Sequence, residues 1–291
     1  MSNSFGQVFT ITSFGESHGR CVGVTIDGCP AGLSLNEADI QKEVDRRRPG
    51  QTPGATRRAE DDKVEILSGI FNGRTTGAPV SMLVWNRDTD SSQYEKIRMT
   101  PRPGHADYTA FTKYGGFNDF RGGGRFSGRI TVGFVMAGAV ARKLLDYIGV
   151  GILAHTIEIG GIKAEPRALS EIRRNVEISP LKCGDPAAAL EMMRAIETAQ
   201  AEGDSVGGII EGLALNVPAG LGEPVFDTLE GDLAKALFAI PSVKGIEFGA
   251  GFAAAKKRGS ENNDSFAVKN GRIVTLTDNA GGILGGVSDG M

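Results

Sequence analysis

Gly15-Glu16-Ser17-His18-Gly19 stands between two short apolar runs, Val8–Thr12 and Val22–Ile26. Runs of this kind bounded by glycine and polar residues read as strands, so a strand–loop–strand opening with a histidine in the loop is expected. Ser34-Leu35-Asn36-Glu37 then reads as a capping box. The helix it starts carries Ile40 and Val44 on one face and stops at Pro49. Val64–Leu67 and Val80–Trp85 read as strands. Residues 86–130 form a long, polar, glycine-rich passage with little periodicity, and a loop of that length inside a domain is usually functional.

Further along, Val132, Val135, Ala139, Leu144 and Ile148 mark a largely buried helix. Asp185-Pro186 supplies an N-cap and a first-turn proline for a helix ending at Gly203. Ile209–Val217 alternates as a strand. Asp227-Thr228-Leu229-Glu230 caps a helix with Leu229, Leu233 and Leu237 along one side. Strand sets separated by helices, without regular strand–helix alternation, predict an α+β fold. No linker stands out, so residues 1–291 are expected to form a single domain.

Composition narrows the function. The chain has 42 glycines among 291 residues, roughly twice the usual share. They occur as spaced clusters, which argues for tight turns or close backbone approach to a ligand. A net charge of −3 argues against a nucleic-acid partner. Cys21, Cys29 and Cys183 are odd in number and fit no metal or redox spacing, which suits a reducing cytoplasm without a bound metal. No basic start leads into an apolar segment, so no secretory signal is expected. No apolar run reaches membrane-spanning length, so no membrane is expected as a partner.

The chemistry-bearing residues concentrate in a few places. His18 sits in a polar, glycine-flanked turn, where an imidazole is exposed to a cleft and could donate a proton near neutral pH. The competing reading is a structural histidine, the commoner fate of a lone one. His105 lies in Arg102-Pro103-Gly104-His105-Ala106-Asp107-Tyr108, a rigid turn with opposite charges beside the ring. A turn histidine bonded only to its neighbours is the alternative. His155, in an apolar segment, reads as structural.

Arg121-Gly122-Gly123-Gly124-Arg125-Phe126-Ser127-Gly128-Arg129 is the strongest motif. Its glycines let backbone N–H groups approach an anion, Ser127 can cap or contact phosphate, and a following helix would point its positive end at the same place. Arg125 and Arg129 can pair bidentately with phosphate or carboxylate. The sequence matches neither a Walker loop nor a dinucleotide fingerprint. Arg46-Arg47-Arg48 ends a helix, where cations need no function, yet three of them leave room for an anionic ligand.

Gly15–Pro30 and Gly124–Val140 resemble two signature stretches of the chorismate synthases, flavin-dependent lyases of the shikimate pathway, and the resemblance runs in one register over essentially the whole chain. It implies a cytosolic homotetramer whose subunits place helices between antiparallel β-sheets. It implies reduced FMN as cofactor, with NADPH as a candidate reductant and a separate flavin reductase as a candidate partner. The small-molecule substrate would be 5-O-(1-carboxyvinyl)-3-phosphoshikimate, which loses phosphate to give chorismate. Carried over by position, His18 protonates the departing phosphate and His105 acts at the flavin N1 region. Arg47, Arg125, Phe126, Ser127, Pro241, Ser242 and Gly285 take the cofactor-binding positions. Ser17, Arg48 and Arg129 take the substrate or phosphate positions.

Two departures accompany the resemblance. Pro53 stands where some members carry an arginine. Members also continue for several tens of residues past Gly290, with a flavin-phosphate segment there, so part of the FMN site is expected to be missing from a polypeptide ending at Met291. A non-catalytic binder of FMN or a phosphorylated ligand is therefore the alternative function. An RNA-associated protein using Arg46–Arg48 and Arg121–Arg129 is a third reading, disfavoured by the acidic balance.

Overall fold

Cys21-Val22-Gly23-Val24-Thr25-Ile26-Asp27 alternates, so Val22, Val24 and Ile26 share one face of a strand. That face lies at the centre of the main core. The protein, represented by a computed structural model, is described for residues 3–48, 58 and 60–291. It divides into two compact units, Met1–Tyr147 with Ile152–Ala214 and Ile148–Gly151 with Leu215–Met291.

The first unit opens with β1 (Ser4–Phe5), β2 (Thr10–Gly15) and β3 (Cys21–Asp27), followed by α1 (Glu37–Arg47) and β4 (Val64–Ile66). The small hairpin of β5 (Ile70–Phe71) and β6 (Arg74–Thr75) precedes β7 (Val80–Trp85). A five-stranded sheet runs in the order β1-β2-β3-β7-β4, antiparallel at each pairing. Across β3 and β7, Val22 faces Val84, Val24 faces Met82 and Ile26 faces Val80. All six are fully buried, and each such side chain contributes about 1.5–3 kcal/mol.

Helices α2 (Tyr94–Arg98) and α3 (Asp107–Tyr114) interrupt the passage after β7, followed by a kinked glycine turn at Arg121–Phe126, a 3₁₀ turn at Gly128–Ile130 and α4 (Thr131–Tyr147). Ile40 and Val44 of α1 join Val132, Met136 and Val140 of α4 in the core formed on the sheet. Gly133 sets the depth of that contact. A Cβ there would lie 3.1 Å from the Gly23 carbonyl oxygen, so any side chain would push α4 a few tenths of an ångström from β3.

The remainder of this unit comprises β8 (Gly151–Ile159), β9 (Ile162–Lys163), α5 (Leu169–Ile178), α6 (Pro186–Ala201) and β10 (Gly208–Leu215). Its sheet order is β10-β8-β9. A smaller core of Leu181, Cys183, Ala188 and Met192 packs with Ile159 and Ile162. Asp185 caps α6 by accepting from Ala187 N at 3.1 Å, with Pro186 opening the helix as its sequence requires.

The second unit contains α7 (Leu229–Leu237), α8 (Gly259–Asn262), the hairpin of β11 (Phe266–Lys269) and β12 (Arg272–Thr275), and the short pair β13 (Ile283–Leu284) and β14 (Val287–Ser288). Thr228 caps α7 by accepting from Gly231 N at 3.3 Å.

With helices and several antiparallel sheets, the fold is α+β, as expected. Several boundaries differ from expectation. The first strand is Thr10–Gly15, not Val8–Thr12, because pairing with β3 runs from Thr10 opposite Asp27 to Gly15 opposite Val22, leaving Val8 exposed. Asn36, not Ser34, caps α1. Asn36 Oδ1 accepts from Asp39 N at 3.1 Å and Asp39 Oδ2 accepts from Asn36 N at 3.0 Å, while Ser34 is drawn into a bridge with Arg74.

Strands expected at Val64–Leu67 and Ile209–Val217 cover Val64–Ile66 and Gly208–Leu215. The 86–130 passage holds two short helices, a kinked glycine turn and a 3₁₀ turn, anchored by side-chain contacts that periodicity does not register. Ile148 lies beyond α4 and is exposed, since the helix ends at Tyr147. Pro49 and Pro53 fall outside the described residues.

Candidate active site

The loop between β2 and β3 is held from three directions. Ser17 N donates to Gly124 O at 3.2 Å and Gly19 N to Glu16 O at 3.1 Å. Asn86 Nδ2, just past β7, donates to the carbonyls of Glu16 at 2.9 Å and Gly19 at 2.8 Å. These bonds fix the loop while leaving the His18 ring partly exposed.

His18 Nδ1 lies 2.8 Å from Ser91 Oγ. The Tyr94 ring meets the imidazole edge-on, with centroids 5.1 Å apart. Both contacts come from one turn, closed by Tyr94 N donating to Ser91 O at 3.0 Å. The Arg102 guanidinium lies 5.8 Å from the Tyr94 ring centroid and pairs with Asp107 at 2.9 Å, tying this wall to the start of α3. On another side lies Gly122, where a Cβ would come within 2.5 Å of His18 Nε2 and 2.9 Å of Ser17 Oγ.

The electrostatics favour a neutral imidazole in the free protein. Burial pushes the His18 pKa below its ordinary 6.5, and the positive charges of Arg58 and Arg121 push it further down against the weaker pull of Asp119 and Asp88. Arg121 pairs with Asp119 at 2.8 Å, which lowers the Asp119 pKa and raises that of the arginine.

Beneath the loop is an ion network. Arg58 donates to Ser17 Oγ at 2.9 Å, to Ser17 O at 3.0 Å and to Glu60 Oε1 at 2.7 Å. Glu60 Oε2 also accepts from Arg87 N at 3.1 Å. Burial raises the Glu60 pKa, but the hydrogen bonds from Arg58 and Arg87 outweigh it and leave it low. Arg129 donates through Nη1 to Asp62 and through Nε to Asn86 Oδ1 at 2.9 Å. Its Nη2 is buried and has no hydrogen-bond partner among the described residues. The Asp62 side chain is fully buried with backbone φ at 47°, a conformation that costs a non-glycine residue energy.

The sequence-derived candidates distribute unevenly over this arrangement. Ser17 and His18 belong to the loop itself, and Arg129 lies beneath it. Arg47 reaches Asp62 at 3.4 Å and Gly128 O at 3.1 Å, joining the end of α1 to the turn before α4. Arg48 is half-exposed, 4.0 Å from Asp45. Arg125 turns toward β2, donating to Gly15 O at 2.9 Å, Ser13 Oγ at 3.3 Å and Asn3 Oδ1 at 3.0 Å. Ser127 caps the 3₁₀ turn before α4 by accepting from Arg129 N at 3.3 Å. Phe126 is partly exposed and meets Tyr114 edge-to-face at 6.3 Å.

His105 is exposed, with Nδ1 3.0 Å from Pro103 O. His155 is buried, with Nε2 2.7 Å from Glu211. Pro241, Ser242 and Gly285 belong to the second unit, where Ser242 takes φ 71° and Gly285 φ 61°.

Sequence reading missed Arg58, Glu60, Asp62, Asn86, Ser91 and Tyr94. The run of charges at Arg58, Glu60, Asp61 and Asp62 immediately before a strand was the available signal. Nothing comparable marks Ser91 or Tyr94. Among the described residues no cluster of three or more His, Cys, Asp or Glu could hold a metal ion, and no helix is long and apolar enough to cross a membrane.

A profile of the chorismate synthase family matches residues 9–291. A chorismate synthase of Dehalococcoides mccartyi is 60% identical over 291 residues, covering 100% of this chain and 80% of the relative. One from Methanosarcina mazei is 58% identical over 289 residues, covering 99% of this chain and 79% of the relative. A solved structure titled as a crystal structure of chorismate synthase is 30% identical with a TM-score of 0.82, covering 98% of this chain and 82% of that one.

Proposed function

We propose that this chain, which belongs to the chorismate synthase family and is therefore a lyase of the shikimate pathway, converts 5-O-(1-carboxyvinyl)-3-phosphoshikimate to chorismate and phosphate with reduced FMN as cofactor. The observation that carries the residue assignment is the setting of His18, a partly exposed imidazole on a fixed loop, under the positive charges of Arg58 and Arg121 and beside a bare glycine turn. In the reaction a ring carbon–oxygen bond to phosphate breaks, a ring proton leaves and a second ring double bond forms. The departing phosphate needs a proton donor and cationic neighbours.

His18 Nε2 is the donor in this reading. Its lowered pKa keeps the ring neutral before binding. A bound phosphate offsets the charges of Arg58 and Arg121 and raises that pKa, so the ring takes up the proton it later gives to the leaving oxygen. Ser17 orders Arg58 beneath the loop, and Asn86 holds the loop carbonyls, so the imidazole keeps its place as charge develops.

The residues suit a flavin. The glycines at 122–124 leave their turn bare, space opens beside Gly128, and Phe126 with Tyr114 presents aromatic surface. Reduced FMN supplies an electron-rich ring beside the substrate. Phe126 and the Arg125–Ser127 backbone would hold it, while the Arg125 guanidinium braces β2. His105 is assigned to the flavin by family position alone. NADPH as reductant, a separate reductase, a homotetramer and a cytoplasmic location complete the proposal. The cysteines agree with a reducing compartment, since Cys21, Cys29 and Cys183 are all free.

Anaerobic turnover of the enolpyruvyl phosphate substrate with pre-reduced FMN tests the reaction. Chorismate and phosphate forming in equal amounts, and only when reduced flavin is present, is the expected result. Flavin binding without product would instead favour a non-catalytic phospholigand binder.

A further inference from the structure

We propose that Ser91 is a positioning residue, holding His18 in the tautomer with the proton on Nδ1 so that Nε2 is the nitrogen that takes up and releases the catalytic proton. The proposal rests on the assignment of His18 as the proton donor and adds a residue to it. Ser91 Oγ has two neighbours, His18 Nδ1 at 2.8 Å and the Thr89 carbonyl oxygen at 3.2 Å. A hydroxyl has one proton, and a carbonyl oxygen can only accept.

If Ser91 donates to Thr89 O, both contacts are hydrogen bonds provided that Nδ1 carries a proton and donates to Oγ. If Ser91 donated to Nδ1 instead, Thr89 O would lose its partner in this chain of bonds. The Nδ1–H form satisfies both contacts and the Nε2–H form only one. One net hydrogen bond is enough to set a tautomer ratio of up to about tenfold. The imidazolium, with protons on both nitrogens, keeps the same Nδ1–H bond. Uptake and release at Nε2 therefore leave the Ser91 contact undisturbed.

Geometry at the other edge agrees. The edge away from Ser91 packs against the bare backbone of Gly122, where a Cβ would lie 2.5 Å from Nε2, so that nitrogen meets no side chain of the glycine turn. The turn that supplies Ser91 also supplies Tyr94, whose edge-on ring limits imidazole rotation. A histidine base oriented by an acceptor on its second nitrogen is a general arrangement for proton transfer. Here a serine backed by a carbonyl takes the acceptor's place.

The test combines a tautomer measurement with kinetics. Protein labelled with ¹⁵N-histidine is examined by long-range ¹H–¹⁵N correlation above the His18 pKa, with His18→Gln assigning the signals among His18, His105 and His155. The wild type is expected to show protonated Nδ1 and unprotonated Nε2 at His18. Ser91→Ala is expected to shift the signal toward the Nε2–H form and to lower kcat about 10- to 100-fold with little change in KM. Ser91→Thr, which keeps the hydroxyl, is expected to restore both.

A wild-type ring in the Nε2–H form overturns the proposal, as does a Ser91→Ala protein that keeps either the Nδ1–H signal or full kcat. Failure of the underlying assignment looks different, because a His18→Gln protein with undiminished turnover removes the histidine from catalysis whatever tautomer the spectrum reports.

Discussion

Gly122 lies directly against His18, with φ at +58° and no room for a side chain between its Cα and the imidazole Nε2 edge. The two residues come from segments more than a hundred positions apart, and the Ser17–Gly124 backbone bond locks those segments together. Gly122→Ala is therefore expected to act twice. The left-handed backbone costs a non-glycine residue about 1–3 kcal/mol, and the new methyl displaces the catalytic edge. Urea unfolding and kcat on one preparation check this, and a protein with unchanged kcat would show that the ring has space to spare.

His18→Ala should leave the fold intact, since the ring is partly exposed and the loop is held by backbone and Asn86 bonds. Turnover is expected to fall about 10²- to 10⁴-fold, the usual contribution of a general acid. Retained turnover with unchanged circular dichroism would move the proton to another group.

Stability should change with pH in two separate windows. The folded pKa of His18 is held below 6.5, so the unfolded chain binds that proton more tightly. Stability then falls as pH drops through 6.5 toward the folded pKa, and below it the loss is complete. Glu60, Asp107 and Asp119 have lowered pKa values, so their stabilisation is present above 4.5 for the glutamate and 3.8 for the aspartates and is lost as pH falls through their folded values. Denaturant midpoints measured against pH should show both steps. His18→Gln should abolish only the upper one, and inorganic phosphate should raise the His18 midpoint in an NMR titration.

Asp62 joins two arginines in a fully buried place. Asp62→Asn keeps the side chain's shape and its tolerance of positive φ while removing the charge that Arg129 and Arg47 face. Breaking a buried pair this way is expected to cost about 3–5 kcal/mol. A denaturant midpoint within error of the parent would mean that solvent reaches the arginines.

Arg125→Ala should cost stability as well as any ligand affinity, because the guanidinium satisfies buried Ser13 and the Gly15 carbonyl. Hydrogen bonds to a charged group are worth about 1.5–3 kcal/mol. Loss of FMN affinity with an unchanged unfolding curve would show that the arginine serves the ligand alone.

The sequence by itself determined what is local and periodic. Val80–Trp85 appears at its expected bounds, Asp185-Pro186 starts its helix, and Glu16–Gly19 lies in the loop between paired strands, because alternation, capping and glycine turns act over a few residues. It also marked Ser17, His18 and the glycine run as candidates, since rare residue types in rigid turns are visible without a partner. Only the tertiary structure decided which arginines face which groups. Arg125 and Arg129 look equivalent in their motif, yet one braces β2 and the other joins a buried aspartate fifteen residues beyond Arg47. Ser91 and Tyr94 carry no periodic mark, and they matter only because the chain returns across the first loop. Long-range hydrogen bonds and charge pairs depend on where the backbone brings their atoms, and that information is spread over the whole fold.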